Sequence, residues 1–136
     1  SVKSVALRYF NVFGEGQDLA NGGYKLALSE LLKEKKDGKP LTVVGTGKQR
    51  RDFVYVKDVV KANLMAAEYL KTAKEFKVFD VGTGENISMN EVRNLIDPKG
   101  KRNHTPARTE PFQNKANKNK WLPGWKPTMT LKKWLA

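Results

Sequence analysis

Apolar positions cluster early: Val5, Ala6, Leu7, Tyr9 and Phe10 all fall within the first ten residues, a density that predicts a buried strand over residues 4–13. Gly14-Glu15-Gly16 and Asn21-Gly22-Gly23 then read as a loop with permissive backbone angles. Tyr24, Leu28, Leu31 and Leu32 recur at helical spacing, Lys33, Lys35 and Lys36 load the helix end where cations suit its dipole, and Gly38 and Pro40 stop it. Residues 41–44 and 53–56 are short strand runs, separated by Gly45-Thr46-Gly47 and the charged stretch 48–52. A longer alanine-rich helix is expected from about residue 57 to residue 70, with Asp58 in its first turn and Val60, Leu64 and Ala67 on one face.

The apolar run at 76–81 has the length of a buried strand, and Gly82-Thr83-Gly84 turns it toward a helix over about residues 89–96. That helix opens on a capping box, Ser88 with Glu91, and ends at Asp97-Pro98 with Gly100. The remainder is loop-rich, with a turn at residues 122–127 and a short last helix from Thr130 that points Leu131, Trp134 and Leu135 inward. Alternation of strands and helices indicates an α/β or α+β unit rather than a bundle or a sandwich. No repeat or low-complexity tract interrupts it, and residues 97–120 are the only candidate linker by composition.

With 136 residues and 39% hydrophobic content the chain supports one globular unit. Cysteine is absent and His104 is the single histidine, which removes disulfides, thiolate metal sites and imidazole clusters from consideration. No apolar run approaches the roughly 20 residues of a bilayer span, and the opening lacks the features of a signal peptide, so a soluble, cytoplasmic protein is expected. The opening strand run has no preceding element to pair with, so the chain reads as starting mid-fold. The formal charge of +12 is concentrated: ten Lys or Arg from Lys99 onward face one acid, Glu110. Such a tail suits a polyanionic partner, yet Trp125 and Trp134 read as core anchors and not as stacking platforms, so nucleic acid is an unlikely partner and the tail lysines read as solvated surface.

Gly82-Thr83-Gly84 invites comparison with a dinucleotide loop, but the position of the third glycine is Ile87, so a tight packing turn is the better reading. Arg50-Arg51-Asp52 reads either as a solvated charge run or as a strand-edge phosphate ligand, since a guanidinium fork matches phosphate oxygens. Arg108 lies between Pro106 and Pro111, where a stiffened extended segment would hold its side chain, and a surface arginine is the alternative. Asn11, at the end of an apolar strand, needs polar partners and lies where α/β sheets bind ligands. His104 reads as a loop residue.

These stretches together carry a resemblance. Leu7-Arg8-Tyr9-Phe10-Asn11-Val12-Phe13-Gly14 with Gln17, then Gly38-Lys39-Pro40-Leu41-Thr42-Val43-Val44-Gly45, then Arg51-Asp52-Phe53-Val54-Tyr55-Val56-Lys57-Asp58-Val59-Val60, then Phe79-Asp80-Val81-Gly82-Thr83-Gly84-Glu85 resemble the successive motifs of the extended short-chain dehydrogenase/reductase family. Its nucleotide-sugar epimerases and dehydratases, UDP-glucose 4-epimerases among them, are the nearest pattern. The match departs at Pro123, where the family usually has leucine, and around Arg108-Thr109-Glu110, one residue short of the usual Arg-x-Gly-acid spacing. Residues 15–25 align poorly, and no ligand is carried over from them.

The resemblance implies a fold: the last strands of a Rossmann-type parallel sheet plus a small α/β substrate-binding domain, with residues 1–14 and 76–97 belonging to an otherwise missing Rossmann domain. It also implies roles. Tyr9 and Phe10 would lie beside the nicotinamide of NAD, Asn11 would contact the diphosphate of a UDP-sugar or related nucleotide-sugar, Thr42 and Val44 would flank the base through backbone groups, and Arg51 and Arg108 would grip the diphosphate. The family's glycine-rich loop and Tyr-x-x-x-Lys pair have no counterpart here; residues four after the tyrosines are Phe13, Leu28, Val59 and Ala73. NAD would therefore be held mainly by an N-terminal Rossmann part, or a separate chain carrying it, and this chain would be inactive alone. The expectation is the C-terminal part of an NAD-dependent nucleotide-sugar epimerase. The alternatives are part of a dehydratase or reductase, or a non-catalytic nucleotide-sugar or partner-binding module, with a homo-oligomer possible in each case.

Overall fold

The computed structural model describes residues 2–17 and 26–136. The Asn21-Gly22-Gly23 loop and Tyr24 lie outside the described residues. The elements follow in the order β1 (Val5–Tyr9), β2 (Asn11–Phe13), α1 (Ala27–Lys36), β3 (Leu41–Val44), β4 (Arg50–Arg51), β5 (Phe53–Tyr55), α2 (Val56–Leu70), β6 (Lys77–Val81), β7 (Ile87–Ser88), α3 (Met89–Ile96), β8 (Arg102–Thr105) and α4 (Leu131–Leu135). Three parallel pairs, β1 with β6, β2 with β5 and β3 with β8, and one antiparallel pair, β4 with β7, organise them into an α/β fold.

The single strand anticipated over 4–13 is two strands because the chain changes partner at Phe10. The Phe10 amide still donates to Val81, whereas the Asn11 amide donates to Asp52. Residues 5–9 thus run beside β6 and residues 11–13 beside β5. Apolar residues continue across the break, so the sequence shows one run, although the phase changes there: Val5, Leu7 and Val12 pack with one core and Phe13 with the other.

Residues 50–55 divide the interior. Side chains alternate across an extended stretch, and here Phe53 and Tyr55 join Phe13, Leu28, Leu31, Leu41 and Val92 in one core, whereas Val54 joins Phe79, Val81, Leu122 and Trp125 in the other. Helix α2 serves the second core through Val59, Ala62 and Ala66, whose small side chains let it lie close to β1 and β5. The face of Val60, Leu64 and Ala67 is the outward one, with Val60 54% and Leu64 67% exposed. Helical spacing alone permits either stripe, and the neighbouring alanines decided which could approach the strands.

The segment 97–120 is not a linker. Arg102-Asn103-His104-Thr105 forms β8 along the edge of β3, although all four residues are exposed. A wholly polar, exposed strand has no alternation to reveal it, and the ladder comes from the partner's free edge. Both His104 nitrogens are used, Nδ1 at 2.6 Å from the Gly45 carbonyl and Nε2 at 3.2 Å from the Arg93 guanidinium. Since the arginine can only donate, Nε2 accepts and Nδ1 carries the proton. Other expectations match the structure: the Ser88–Glu91 capping box is complete, Thr130 caps α4, and Trp125 is buried with its indole N–H donated to the Asp58 carbonyl. No helix among the described residues is long and apolar enough to cross a membrane.

Three buried aspartates fasten the C-terminal segment to the rest. Asp52 Oδ2 accepts from the Ala116 amide at 2.9 Å, Asp80 Oδ2 from the Asn117 amide at 2.9 Å, and Asp58 from the Thr128 amide and hydroxyl at 2.8 and 2.6 Å. The tail lysines point to solvent; Lys118, paired with Glu85 at 3.0 Å, is itself half-exposed.

Candidate functional site

A cleft of about 650 Å³ opens between α1, β3, the ends of β2 and β4, and the extended segment 106–111. Five residues singled out from the sequence line it together: Asn11, Thr42, Val44, Arg51 and Arg108. They come from four separate stretches of chain, which makes the convergence a property of the fold. The volume lies within the range of about 300–1,000 Å³ common to small-molecule sites.

Strand alternation places the arginine. Arg51 and Phe53 face the cleft, while Asp52 between them faces inward and is fully buried. The Arg51 side chain is 14% exposed, one nitrogen donating to the Arg50 carbonyl at 2.7 Å and another standing 3.5 Å from Glu110. Arg50 is spent on structure, with two bonds to Asn86 and a 3.5 Å approach to Glu91. Of the Arg-Arg pair, only Arg51 is therefore available to the cleft. Arg108 is exposed and makes no hydrogen bond or ion pair with the described residues, while Glu110, two residues on along the same extended segment, also lines the cleft.

Asn11 is anchored at one end: its side-chain amide and its backbone amide both donate to the Asp52 carbonyl, at 3.1 and 2.9 Å. The carboxamide oxygen has no partner among the described residues. On β3, the Thr42 amide donates to Glu34 at 2.8 Å and the Val44 carbonyl accepts from Gln49 at 2.9 Å, so a base lying there would share or displace those bonds.

Tyr9 and Phe10 stand apart from this cleft. The Tyr9 ring is 48% exposed with its hydroxyl donating to Asn63 on α2 at 2.8 Å, and Phe10 lies against Gly82. The Gly82-Thr83-Gly84 turn makes no phosphate cradle. Its Thr83 and Gly84 amides both donate to the Asp52 carboxylate at 2.9 Å, and a Cβ on Gly82 would stand 2.8 Å from Ala116 Cβ. The glycines serve packing, and the described residues do not by themselves fit a dinucleotide. Tyr55 offers no general base either: its hydroxyl donates to the Glu15 carboxylate at 2.8 Å, and that bond, reinforced by burial, pushes the phenol above its ordinary value.

Comparison with known proteins shows the family and the fold. The model of the NAD dependent epimerase/dehydratase family matches residues 1–82. The chain belongs to that family. It is 38% identical over 97 residues to a putative UDP-glucose 4-epimerase of Methanocaldococcus jannaschii, a match covering 70% of this chain and 29% of that protein. The Thermotoga maritima UDP-glucose 4-epimerase structure with UDP-glucose superposes with a TM-score of 0.81 at 29% identity, covering 96% of this chain and 43% of that one. The Thermus thermophilus UDP-glucose 4-epimerase complex with NAD gives 0.78 at 27% identity, covering 98% and 44%. The family member described here thus spans less than half the length of these relatives, and its fold is that of their Rossmann-type epimerase architecture.

The signal for the Arg51 side of the cleft was present in the sequence as a fork-bearing residue at a strand edge. Two further lining residues, Gln49 and Glu110, carry no mark in the sequence: Gln49 bonds a backbone carbonyl across the turn from β3, which any side chain could border, and Glu110 meets Arg51 only across the fold.

Proposed function

We propose that this chain is the substrate-clamping part of an NAD-dependent nucleotide-sugar epimerase, with Arg51 and Arg108 taking the diphosphate, Asn11 beside them, and Thr42 and Val44 flanking the base. The observation that carries this is the meeting of those five residues on one cleft, with the Arg51 guanidinium held by one backbone carbonyl and a 3.5 Å ion pair, and that of Arg108 without a partner among the described residues. Guanidinium forks bind phosphate oxygens in bidentate fashion, and a clamp on a remote part of the substrate turns binding energy into orientation of the reacting carbon. The chain supplies affinity and aim. Proton transfer and the cofactor belong to the part bearing the glycine loop and the Tyr-x-x-x-Lys pair.

In this reading residues 1–14 and 76–97 are the last strands of the dinucleotide domain, with Tyr9 and Phe10 nearest the nicotinamide. The support is the parallel pairing of β1 with β6, the exposure of Tyr9, and the apolar face of Val60 and Leu64 beside it. Such a surface is one that further strands and helices cover. The family spans epimerases and dehydratases, so a dehydratase part is the second reading for the same clamp.

Calorimetric titration of the chain with UDP and UDP-glucose tests the clamp. Saturable binding that disappears in Arg51→Ala is the expected result. Salt-sensitive binding of an oligonucleotide with no response to either nucleotide would overturn it.

A further inference from the structure

The Gly45-Thr46-Gly47 turn after β3 closes on the start of α3. The Met89 and Asn90 amides donate to the carbonyls of Gln49 and Gly47 at 3.0 and 2.9 Å, and the Asn90 side chain donates to the Thr46 carbonyl at 2.9 Å. A Cβ on Gly47 would overlap Asn90, so the turn depends on glycine for this approach. Gln49 thus stands on a fixed backbone at the cleft wall, beside Val44 and Met89. Its side chain is fixed as well, because Nε2 donates to the Val44 carbonyl at 2.9 Å. A carbonyl only accepts, so the nitrogen end of the amide faces Val44 and Oε1 is the end left over. That oxygen has no partner among the described residues and is not one of their buried unpaired atoms, so a ligand in the cleft can reach it.

We infer that Gln49 selects the base of the nucleotide, its Oε1 accepting the ring N–H of a uracil-type base. The inference rests on the clamp proposed above, in which Val44 flanks the base and the two arginines take the diphosphate. An ionised diphosphate has no hydrogen to give a carbonyl oxygen, and Gln49 grips the residue assigned to the base, so the donor belongs to the base. Uracil carries that N–H between its two ring carbonyls. Cytosine presents a bare acceptor nitrogen at the same position, which would meet Oε1 lone pair to lone pair. A site built to pair with a ligand's N–H rejects the analogue lacking it far more strongly than an apolar wall does, and the two bonds that fix Gln49 hold the acceptor in place before the ligand arrives.

The test is calorimetric titration of the full chain with inorganic pyrophosphate, UDP, CDP and UDP methylated at that ring nitrogen, in the wild type, Gln49→Met and Arg51→Ala. The wild type is expected to bind UDP about 10-fold or more tighter than CDP or the methylated nucleotide. Gln49→Met keeps the length of the side chain but not its acceptor. It should weaken UDP about 5- to 20-fold, bring CDP to within about threefold of UDP and leave pyrophosphate within about twofold. The methylated probe needs no variant, so it decides the matter if Gln49→Met folds poorly. A wild type that binds UDP, CDP and the methylated nucleotide alike would overturn the inference, as would a Gln49→Met variant that keeps the preference for UDP or loses pyrophosphate equally, while loss of binding in Arg51→Ala leaves the clamp standing. If the wild type binds none of the probes, the clamp reading falls and this inference with it.

Discussion

The two sides of residues 50–55 treat their polar groups in opposite ways. On the inner side, the Asp52 carboxylate accepts four hydrogen bonds, from the Thr83 amide and hydroxyl, the Gly84 amide and the Ala116 amide, all between 2.8 and 2.9 Å. On the cleft side, Arg51 has one bond to a neighbouring carbonyl and a loose 3.5 Å ion pair, and Arg108 has no partner among the described residues. Sequence treats Arg51 and Asp52 alike, as neighbouring charges in one motif. The structure separates them: the buried Asp52 charge is fully satisfied and belongs to the fold, whereas the cleft side keeps polar groups that the fold does not use.

That contrast can be broken most directly at Asp52. Asp52→Ala leaves three backbone amides, two of them buried, without an acceptor and should lower the unfolding free energy by about 3 kcal/mol or more, as urea titration followed by tryptophan fluorescence would show. Asp58→Asn weakens the clasp on Thr128 alone, so a loss of about 2 kcal/mol with unchanged affinity for UDP is expected. Finding instead that Asp58→Asn abolishes nucleotide binding would dissolve the distinction between the two sides. Arg108→Ala should do the reverse, cutting UDP affinity about 5- to 10-fold with no measurable change in the urea midpoint, because the side chain has no partner among the described residues to lose.

The smallest expected effect concerns Glu15 and Tyr55. Backbone hydrogen bonding at Glu15, and then the Tyr55 hydroxyl, hold this carboxyl below its ordinary 4.5, whereas Tyr55 is pushed above its ordinary 10.0 by its bond to Glu15. A depressed carboxyl stabilises the fold above its unfolded value and loses that contribution as pH falls through the folded one; a raised phenol stabilises below 10.0 and loses it as pH rises further. The melting temperature should therefore hold a plateau between these limits, and Tyr55→Phe should lower the plateau while flattening both shoulders. A variant whose profile retains the wild-type shape would show that the pair contributes nothing.

Much of this was legible beforehand. The strand runs, the capping box at Ser88, the stop at Gly38 and the tryptophan anchors follow from local propensity and periodicity, which act over a few residues and leave their mark in the sequence. The motif order carried the family and, with it, the residues of the cleft. Elements that depend on a partner far along the chain left no such mark: β8 is polar throughout, the chain's change of partner at Phe10 falls inside one apolar run, and the buried stripe of α2 was chosen by the approach of Ala62 and Ala66 to the strands.

By itself, then, the sequence determined that this is an α/β chain of the epimerase/dehydratase family carrying an arginine suited to phosphate on a strand edge. Tertiary structure decided which arginine faces the cleft, that the glycine turn serves Asp52 rather than a cofactor, and that residues 97–120 are pinned in place by β3 and buried aspartates. The physical reason is the range of the forces. Side-chain period and capping act within one turn or one strand, whereas the pairing of a buried carboxylate with amides 31 to 64 residues away exists only once the chain has closed on itself.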